Sequence, residues 1–268
     1  MLLKLATDLV RPVFNHANIQ YSDKMDSVGV VVDGSRFESV GFRNYSAVRR
    51  DHLNTKIEFE TDRGKATLIA NYVDNQLSQE PGSRTGVQYA IDPYGAKALN
   101  VKGKYSKSYT QGIYGLTFDG KISTDTTYGY RVYAGERNLD NPSATYFLID
   151  RAIYGAAYTL TSKSTLASIP VKSTFGVDYD YVKDIKRGYS NSNGNLGGMK
   201  SYQDNLASSY GTYMQSELFF SEKYTGLVGL RVSRVNLKII DRDGGFNSSG
   251  SKEYSGISPV LGLTYHLS

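Results

Sequence analysis

The 268-residue chain has no cysteine and no tryptophan. Without thiols there is no disulfide framework and no thiolate metal ligand, and a cysteine-free chain fits export through an oxidising compartment where a stray thiol risks mispairing. Long apolar runs are missing too. A spanning helix needs about 18 uncharged apolar residues, and the nearest approach is a short stretch such as Ala152 to Ser162. With 40% hydrophobic residues and a mean hydropathy of -0.40, the chain is too polar for a bundle of membrane helices. Whatever crosses a membrane here crosses it as strands. No block of one charge sign stands out either. The net charge of +5 and pI near 9.0 come from 31 basic residues interspersed with 26 acidic ones, which argues against nucleic acid as a partner. A secretory leader is also lacking: the apolar stretch in Met1 to Val13 is broken by Lys4, Thr7 and Asp8. An exported barrel should carry one, so the expectation is that the natural N-terminus lies upstream.

What the sequence has in abundance is tyrosine, 23 residues, glycine, 27 residues, and a period of two. Between Asp51 and Asp62, Leu53, Thr55, Ile57 and Phe59 share one face, and His52, Asn54, Lys56, Glu58 and Glu60 the other. Val171, Phe175, Val177, Tyr179 and Tyr181 oppose Lys172, Thr174, Gly176, Asp178 and Asp180. The same alternation sets Tyr210, Met214 and Leu218 against Gly211, Gln215 and Glu217, and aligns Ile257, Leu261, Leu263 and Tyr265. The apolar set changes face near Arg234, from Leu230 and Val232 to Val235, Leu237 and Ile239, and a β-bulge is expected there.

Scoring the chain this way predicts an all-β fold of about eleven strands, near residues 15–22, 28–37, 50–62, 64–76, 106–119, 126–138, 149–161, 170–182, 208–221, 225–240 and 253–267. Many exceed ten residues. Soluble strands average about 5 to 6 residues, whereas a tilted membrane-spanning strand needs about 9 to 11. Tight connections at Asp62–Lys65, Asp119–Thr126 and Ser221–Tyr224 alternate with long polar ones at Leu77–Tyr105, Lys183–Ala207 and Asp241–Lys252. That asymmetry is the layout of a transmembrane antiparallel β-barrel. A lysine or arginine facing lipid at mid-bilayer costs about 2 to 4 kcal/mol. The charged faces, with Lys56, Glu58, Arg131, Asp178, Glu217 and Arg231, are therefore expected to line a lumen, while Tyr72, Tyr128 and Tyr179 form interfacial girdles. A soluble antiparallel sandwich shows the same period with its apolar face inward and is the bland alternative.

Several segments resemble TonB-dependent outer-membrane receptors, in particular the ferric-citrate and ferric-siderophore branch. The resemblance rests on Gly41-Phe42-Arg43-Asn44-Tyr45-Ser46 followed by Arg49-Arg50 and the strand Leu53 to Phe59, then on Glu80-Pro81-Gly82 and Asp92-Pro93-Tyr94-Gly95. Tyr130 to Asn138, Asp150-Arg151 with Gly155, Gly176-Val177-Asp178-Tyr179 and Tyr213 with Gln215 follow in the family's order. Gly229-Leu230-Arg231 and Ser258-Pro259 with Gly262-Leu263-Thr264-Tyr265 complete the series. The resemblance implies a Gram-negative outer-membrane location and a 22-stranded barrel closed by a plug domain. It also implies uptake of iron chelates with energy from the TonB complex acting through that plug. The chain offers no room for a plug and ends in His266-Leu267-Ser268 without a terminal aromatic residue. The domain reading is thus a partial receptor barrel over 15–268, a fragment, with 1–14 unassigned. A self-contained pore of ten or twelve strands is the second reading.

No catalytic constellation, metal site or cofactor motif emerges. His16, His52 and His266 are isolated, so the third reading, a barrel enzyme, would have to rest on them. Asp241-Arg242-Asp243-Gly244 resembles the start of a calcium loop but has no oxygen ligand at Gly245 and its glycine comes too early; it reads as a turn. Gly194, Gly197 and Gly198 read as loop flexibility. If the ligand is an anionic ferric chelate, cationic forks and rings at the outer mouth should hold it. The long loops offer Arg43, Arg49, Arg50, Arg84, Tyr89, Tyr94, Arg187, Tyr189 and Tyr202.

Overall fold

A computed structural model describes residues 2–10, 14–244 and 248–267. They form one antiparallel sheet in which each strand pairs only with its neighbours in sequence. The strands are β1 (Leu2–Val10), β2 (Phe14–Met25), β3 (Val28–Ser39), β4 (Val48–Thr61), β5 (Gly64–Ser78), β6 (Ser108–Lys121) and β7 (Thr126–Asn141). They continue with β8 (Thr145–Leu166), β9 (Ile169–Ser192), β10 (Asn195–Phe219), β11 (Tyr224–Asp241) and β12 (Gly250–Tyr265). Two short helices, α1 (Gly86–Ile91) and α2 (Ala98–Lys102), lie in the connection between β5 and β6. The eleven expected strands are β2 to β12. The twelfth, β1, occupies the segment without a sequence reading and pairs with β2 from Leu2 against Ser22 to Val10 against Phe14. Among the described residues no ladder joins β12 to β1, and β12 is exposed along its whole length.

The register proves the two faces. Glu58, Thr67, Thr117, Arg131, Ala157, Asp178, Gly211 and Ser233 stand directly opposite one another in sequence from β4 to β11, one polar row across eight strands. Their neighbours along each strand form the apolar face, with Ile57, Leu68, Leu116, Val132 and, further along, Phe175, Met214 and Leu230. That face is bare. Val171 is the one buried apolar residue among the described residues, while Phe175 is 43% exposed, Met214 56% and Leu230 48%. The surface of 17034 Å² compares with about 11,600 Å² for a compact globular monomer of this mass. A soluble sandwich would have folded the apolar face onto itself, so the bland alternative fails and the face needs an apolar solvent.

Tyrosines bound the apolar band. Tyr179 packs at a tilt against Tyr210 at 4.9 Å and Tyr154 stacks on Tyr181 at 4.8 Å at one edge, and Tyr224 meets Tyr265 at 5.1 Å at the other. On β9 the band runs from Val171 to Tyr181 and on β10 from Tyr210 to Leu218, close to the roughly 9 to 11 residues of a tilted spanning strand.

Two expectations are corrected. Residues 183–207 are not a loop. They are the outer halves of β9 and β10, 24 and 25 residues long, closed by Asn193-Gly194 with φ of 53° and 85°, the paired positive values of a tight type I′ hairpin. Gly194 is thus a fixed turn residue, and Gly197 lies at a register shift between Leu196 and Met199. The segment reads as a loop because both its faces are polar. Beyond the apolar band neither face needs apolar side chains, and cross-strand ion pairs such as Arg151 with Asp184 at 2.7 Å hold it. Nor is there a bulge at Arg234: β11 pairs without interruption with β10 and β12. Val235, Leu237 and Ile239 simply occupy the other face once the strand has left the band. The irregularities fall instead between Arg49 and Arg50 and around Met199.

Candidate ligand-binding mouth

The end of the sheet opposite the short turns carries the connection 40–47, the 28-residue excursion between Ser78 and Lys107 with its helices, and the β9–β10 hairpin tip. Arg43 rivets the first two together. Its Nη1 donates to the Gly82 carbonyl at 2.7 Å, and its Nε and Nη2 donate to the Gly95 carbonyl at 3.2 and 2.8 Å. Beside it the Asn44 amide donates to the Tyr94 carbonyl at 2.7 Å, and Phe42 packs on the Tyr94 ring at 5.0 Å. Tyr45, in the same connection, has its phenol pushed up by burial. Asn100, 4% exposed, donates to the Glu80 carbonyl at 3.1 Å. Glycine is needed at position 82 because its φ is 76° and a Cβ would meet the Asn100 side-chain amide at 2.8 Å. α1 starts on a capping box between Thr85 and Gln88.

The third element joins through Asn191, which donates to the Gly103 carbonyl at 2.7 Å and the Ser143 carbonyl at 2.9 Å while accepting from the Gly194 amide at 2.7 Å. One asparagine thereby holds the hairpin tip to two neighbouring connections. Its sequence signal is only its place two residues before Asn193-Gly194.

The expected ligand residues are divided by this geometry. Arg43, Arg84, Tyr89 and Tyr94 stand together in the cap. The Arg43 fork is spent on carbonyls; Arg84 lies 3.8 Å from Asp92 and donates to the Gln88 carbonyl at 3.2 Å. Tyr89 and Tyr94 are 55% and 54% exposed. Arg50 stands on the polar face at the rim, opposite Phe37 and Asn75, its Nε buried without a partner. Arg49, Arg187, Tyr189 and Tyr202 stand on the other face. Arg49 pairs with Glu38 at 3.1 Å, Arg187 with Asp150, and Tyr202 is opposite Arg187. The histidines are not brought together: His16 packs near Phe37, His52 faces Ser35 and Val73 with its Nε2 unpartnered, and His266 meets Thr225 at 3.1 Å. The Asp241 carboxylate closes the last turn by accepting from the Asp243 and Ser248 amides; Gly245 lies outside the described residues.

Below the rim the polar face is a wall of paired charges. Glu58 takes Lys56 and Lys65, each at 2.7 Å, and Lys172 meets Glu217 at 3.2 Å. Arg231 makes a bidentate pair with Asp178, both contacts 2.8 Å, with Tyr213 beside it, and Tyr133 donates to Asp180. Arg131 forms no ion pair among the described residues; with Asp119, Asp178, Asp180 and Tyr213 it lines a cavity of about 410 Å³. All six residues expected to face a lumen lie on this face.

The sequence profile described as TonB dependent receptor-like, beta-barrel matches residues 21–268. The chain belongs to this family. The solved ferric citrate transporter FecA superimposes with a TM-score of 0.83 at 14% identity, over 95% of this chain and 39% of FecA. The ferric-catecholate import receptor Fiu of E. coli K12 gives 0.73 at 12%, over 96% and 51%. The copper transporter OprC gives 0.69 at 12%, over 99% and 42%. This TonB-dependent receptor chain therefore spans about two fifths to one half of the structures it resembles. The family is one of outer-membrane receptors and transporters, not enzymes, and places the chain in the Gram-negative outer membrane.

Proposed function

We propose that this chain forms part of the wall and mouth of an outer-membrane receptor for ferric siderophores or related iron chelates, energised by the TonB complex. The apolar band faces lipid, the polar face lines the lumen, and the long connections face outward. The observation that carries the reading is the cap held by Arg43. It fixes the Phe42–Tyr94 pair and exposed Tyr89 in a preorganised platform above the polar wall, where rings supply contact area at little entropic cost. The Arg50 guanidinium at the rim, its Nε buried without a partner among the described residues, supplies positive charge for an anionic chelate. A plug inside such a barrel would pack against the row containing Glu58, Arg131 and Asp178, which already pairs most of its charges internally. The small-pore alternative has the twelve-strand count in its favour, but the unpaired ladders of β1 and β12 among the described residues favour the receptor reading.

The test uses the chain refolded into detergent and its tyrosine emission, which no tryptophan obscures. Saturable quenching by ferric citrate or a ferric catecholate, weakened by Arg43→Ala, supports the receptor. A folded, heat-modifiable chain that neither chelate quenches, and that conducts discretely in a planar bilayer, would replace it with the pore.

A further inference from the structure

The lipid-facing side of β4 to β7 is hollowed at the mouth-side end of the apolar band. Ile57, Leu68, Leu116 and Val132 stand opposite one another in one row, and two residues nearer the mouth the row on the same face is Thr55, Ala70, Tyr114 and Ala134. Alanines on both sides of a large ring leave a groove of about 560 Å³ with an almost wholly apolar wall, the size of a small-molecule site. Tyr114, 52% exposed, stands out as its side. The ring lies along its own strand, because a Cβ on Gly112 would be 2.9 Å from the phenol oxygen. The hydroxyl is thereby carried to the next row, where Tyr72 and Glu136 stand on either side of Gly112.

The mouth-side end of the groove is acidic. Just beyond the band the outward face of β3 to β8 carries Glu38, Asp51, Asp74, Glu136, Asp140 and Asp150 against Arg36, Arg49 and Arg187. Each of these arginines is already taken, Arg36 by Asp51 at 2.7 Å, Arg49 by Glu38 at 3.1 Å and Arg187 by Asp150. Asp74, Glu136 and Asp140 form no ion pair among the described residues. Asp74 and Glu136 belong to β5 and β7, the strands on either side of Tyr114, and Asp74 takes only the Gln76 amide, at 3.4 Å.

We infer that the groove holds the hydrocarbon chain of a cationic amphiphile, an alkylammonium whose head lies among Glu136, Asp74 and the rings of Tyr72 and Tyr114. Carboxylates near a membrane surface attract such a head, and tyrosine faces take the same charge. An anionic head would meet carboxylates that no arginine neutralises. The inference depends on the lipid facing of the band and not on what the lumen carries.

Tyr114→Trp puts one indole in the groove of a chain that has no tryptophan, and Tyr181→Trp puts one in the same row three strands along, about 14 Å away. Each full-length variant is refolded into phosphatidylcholine vesicles, and its emission is followed as a dibrominated octadecyl chain, which quenches indole on contact, is added as the trimethylammonium or as the sulfate. Dibrominated phosphatidylcholine should quench both indoles, and it reports the lipid facing separately from the site. At position 114 the ammonium probe should quench at a membrane content on the order of tenfold below that of the sulfate, at about fivefold per carboxylate. At position 181 it should have no such advantage. Asp74→Asn/Glu136→Gln should bring the two probes level at position 114, and Ala134→Leu, which fills the groove, should weaken both. Equal quenching by the two probes at position 114, the same preference at position 181, or a preference that survives Asp74→Asn/Glu136→Gln overturns the proposal. So does a sulfate probe brought level by added magnesium, which would put a bridging metal ion in the place of the ammonium. Should Tyr114→Trp fail to fold, Ile57→Trp in the same groove is read in the same way.

Discussion

Arg231 reaches Asp178 across an intervening strand. The guanidinium on β11 and the carboxylate on β9 meet directly over Gly211 of β10, where a Cβ would be 2.1 Å from Nη2 and 2.6 Å from Oδ2. The glycine is thus the floor of an ion pair. Gly211→Ala should break the fork and lower stability by about 1 kcal/mol, the modest scale of a half-exposed pair. Urea unfolding in detergent measures it, and an alanine variant as stable as the parent would show that the pair contributes nothing.

Arg43 tests preorganisation of the mouth. Arg43→Ala removes donors to two carbonyls, and charged hydrogen bonds contribute about 1.5 to 3 kcal/mol each. Residues 79–107 should then exchange amide hydrogen and be cleaved by protease far faster while the strands keep their protection. Arg43→Lys should rescue poorly, since one ammonium lacks the planar fork. Unchanged protection in Arg43→Ala would remove the rivet from the account.

The hairpin tip depends on Asn191 and Gly194. Gly194→Ala places a Cβ at a φ of 85° and 2.4 Å from the Lys104 side chain, and Asn191→Ala deletes two bonds to carbonyls of neighbouring connections. Each should loosen the tip by about 1 kcal/mol or more without affecting the band. Hydrogen exchange localised to 186–202 is the expected readout; a global loss of stability would contradict the local assignment.

The two faces differ in what they tolerate. Met214→Arg should impair insertion into vesicles by about 2 to 4 kcal/mol, whereas Gln215→Arg, one residue along on the polar face, should insert normally. Equal insertion of both variants would reverse the facing assigned to the sheet.

Acid should open the last connection first. The Asp241 carboxyl is held below its ordinary value because it accepts the Ser248 and Asp243 amides. A depressed value means that the contribution is complete above the unfolded pKa of about 3.9 and is lost as pH falls through the folded value. Protection of 241–244 and of 248 and 249 should fade below about pH 4, and Asp241→Asn should abolish that dependence. Protection that is flat with pH in the parent would exclude the carboxylate as the clasp.

Much of this architecture was legible because the bilayer enforces it. Within the band each side chain is committed to lipid or to the polar wall, so Phe175, Val177 and Tyr179 alternate cleanly with Thr174, Gly176 and Asp178. Outside it the constraint ends. The outer halves of β9 and β10 are polar on both faces, and β1 mixes Leu2, Leu3 and Leu5 with Lys4 and Asp8, so neither shows the period. The mouth was legible in composition but not in roles: a sequence displays an arginine, not the carbonyls at Gly82 and Gly95 that occupy it. Glycine was under-read as well. Gly176 and Gly155 are beneath the rings of Tyr213 and Tyr133, where a Cβ would come within 2.3 and 2.5 Å of ring carbons. Part of the tyrosine and glycine abundance is therefore cross-strand covering, a pairing visible only once the register is known.

The inequality of strand length has a consequence for traffic. β2 and β3 have 12 residues each, whereas β9 and β10 have 24 and 25. Residues 195–209 alone carry about 50 Å of strand past the tyrosine edge. The rim is thus a screen on one side and a sill on the other. On the proposed receptor reading, a solute diffusing along the cell surface would meet the tall β9–β10 ribbon on one side and the lower β2 and β3 strands on the other, so this part of the rim presents an uneven height to whatever approaches it.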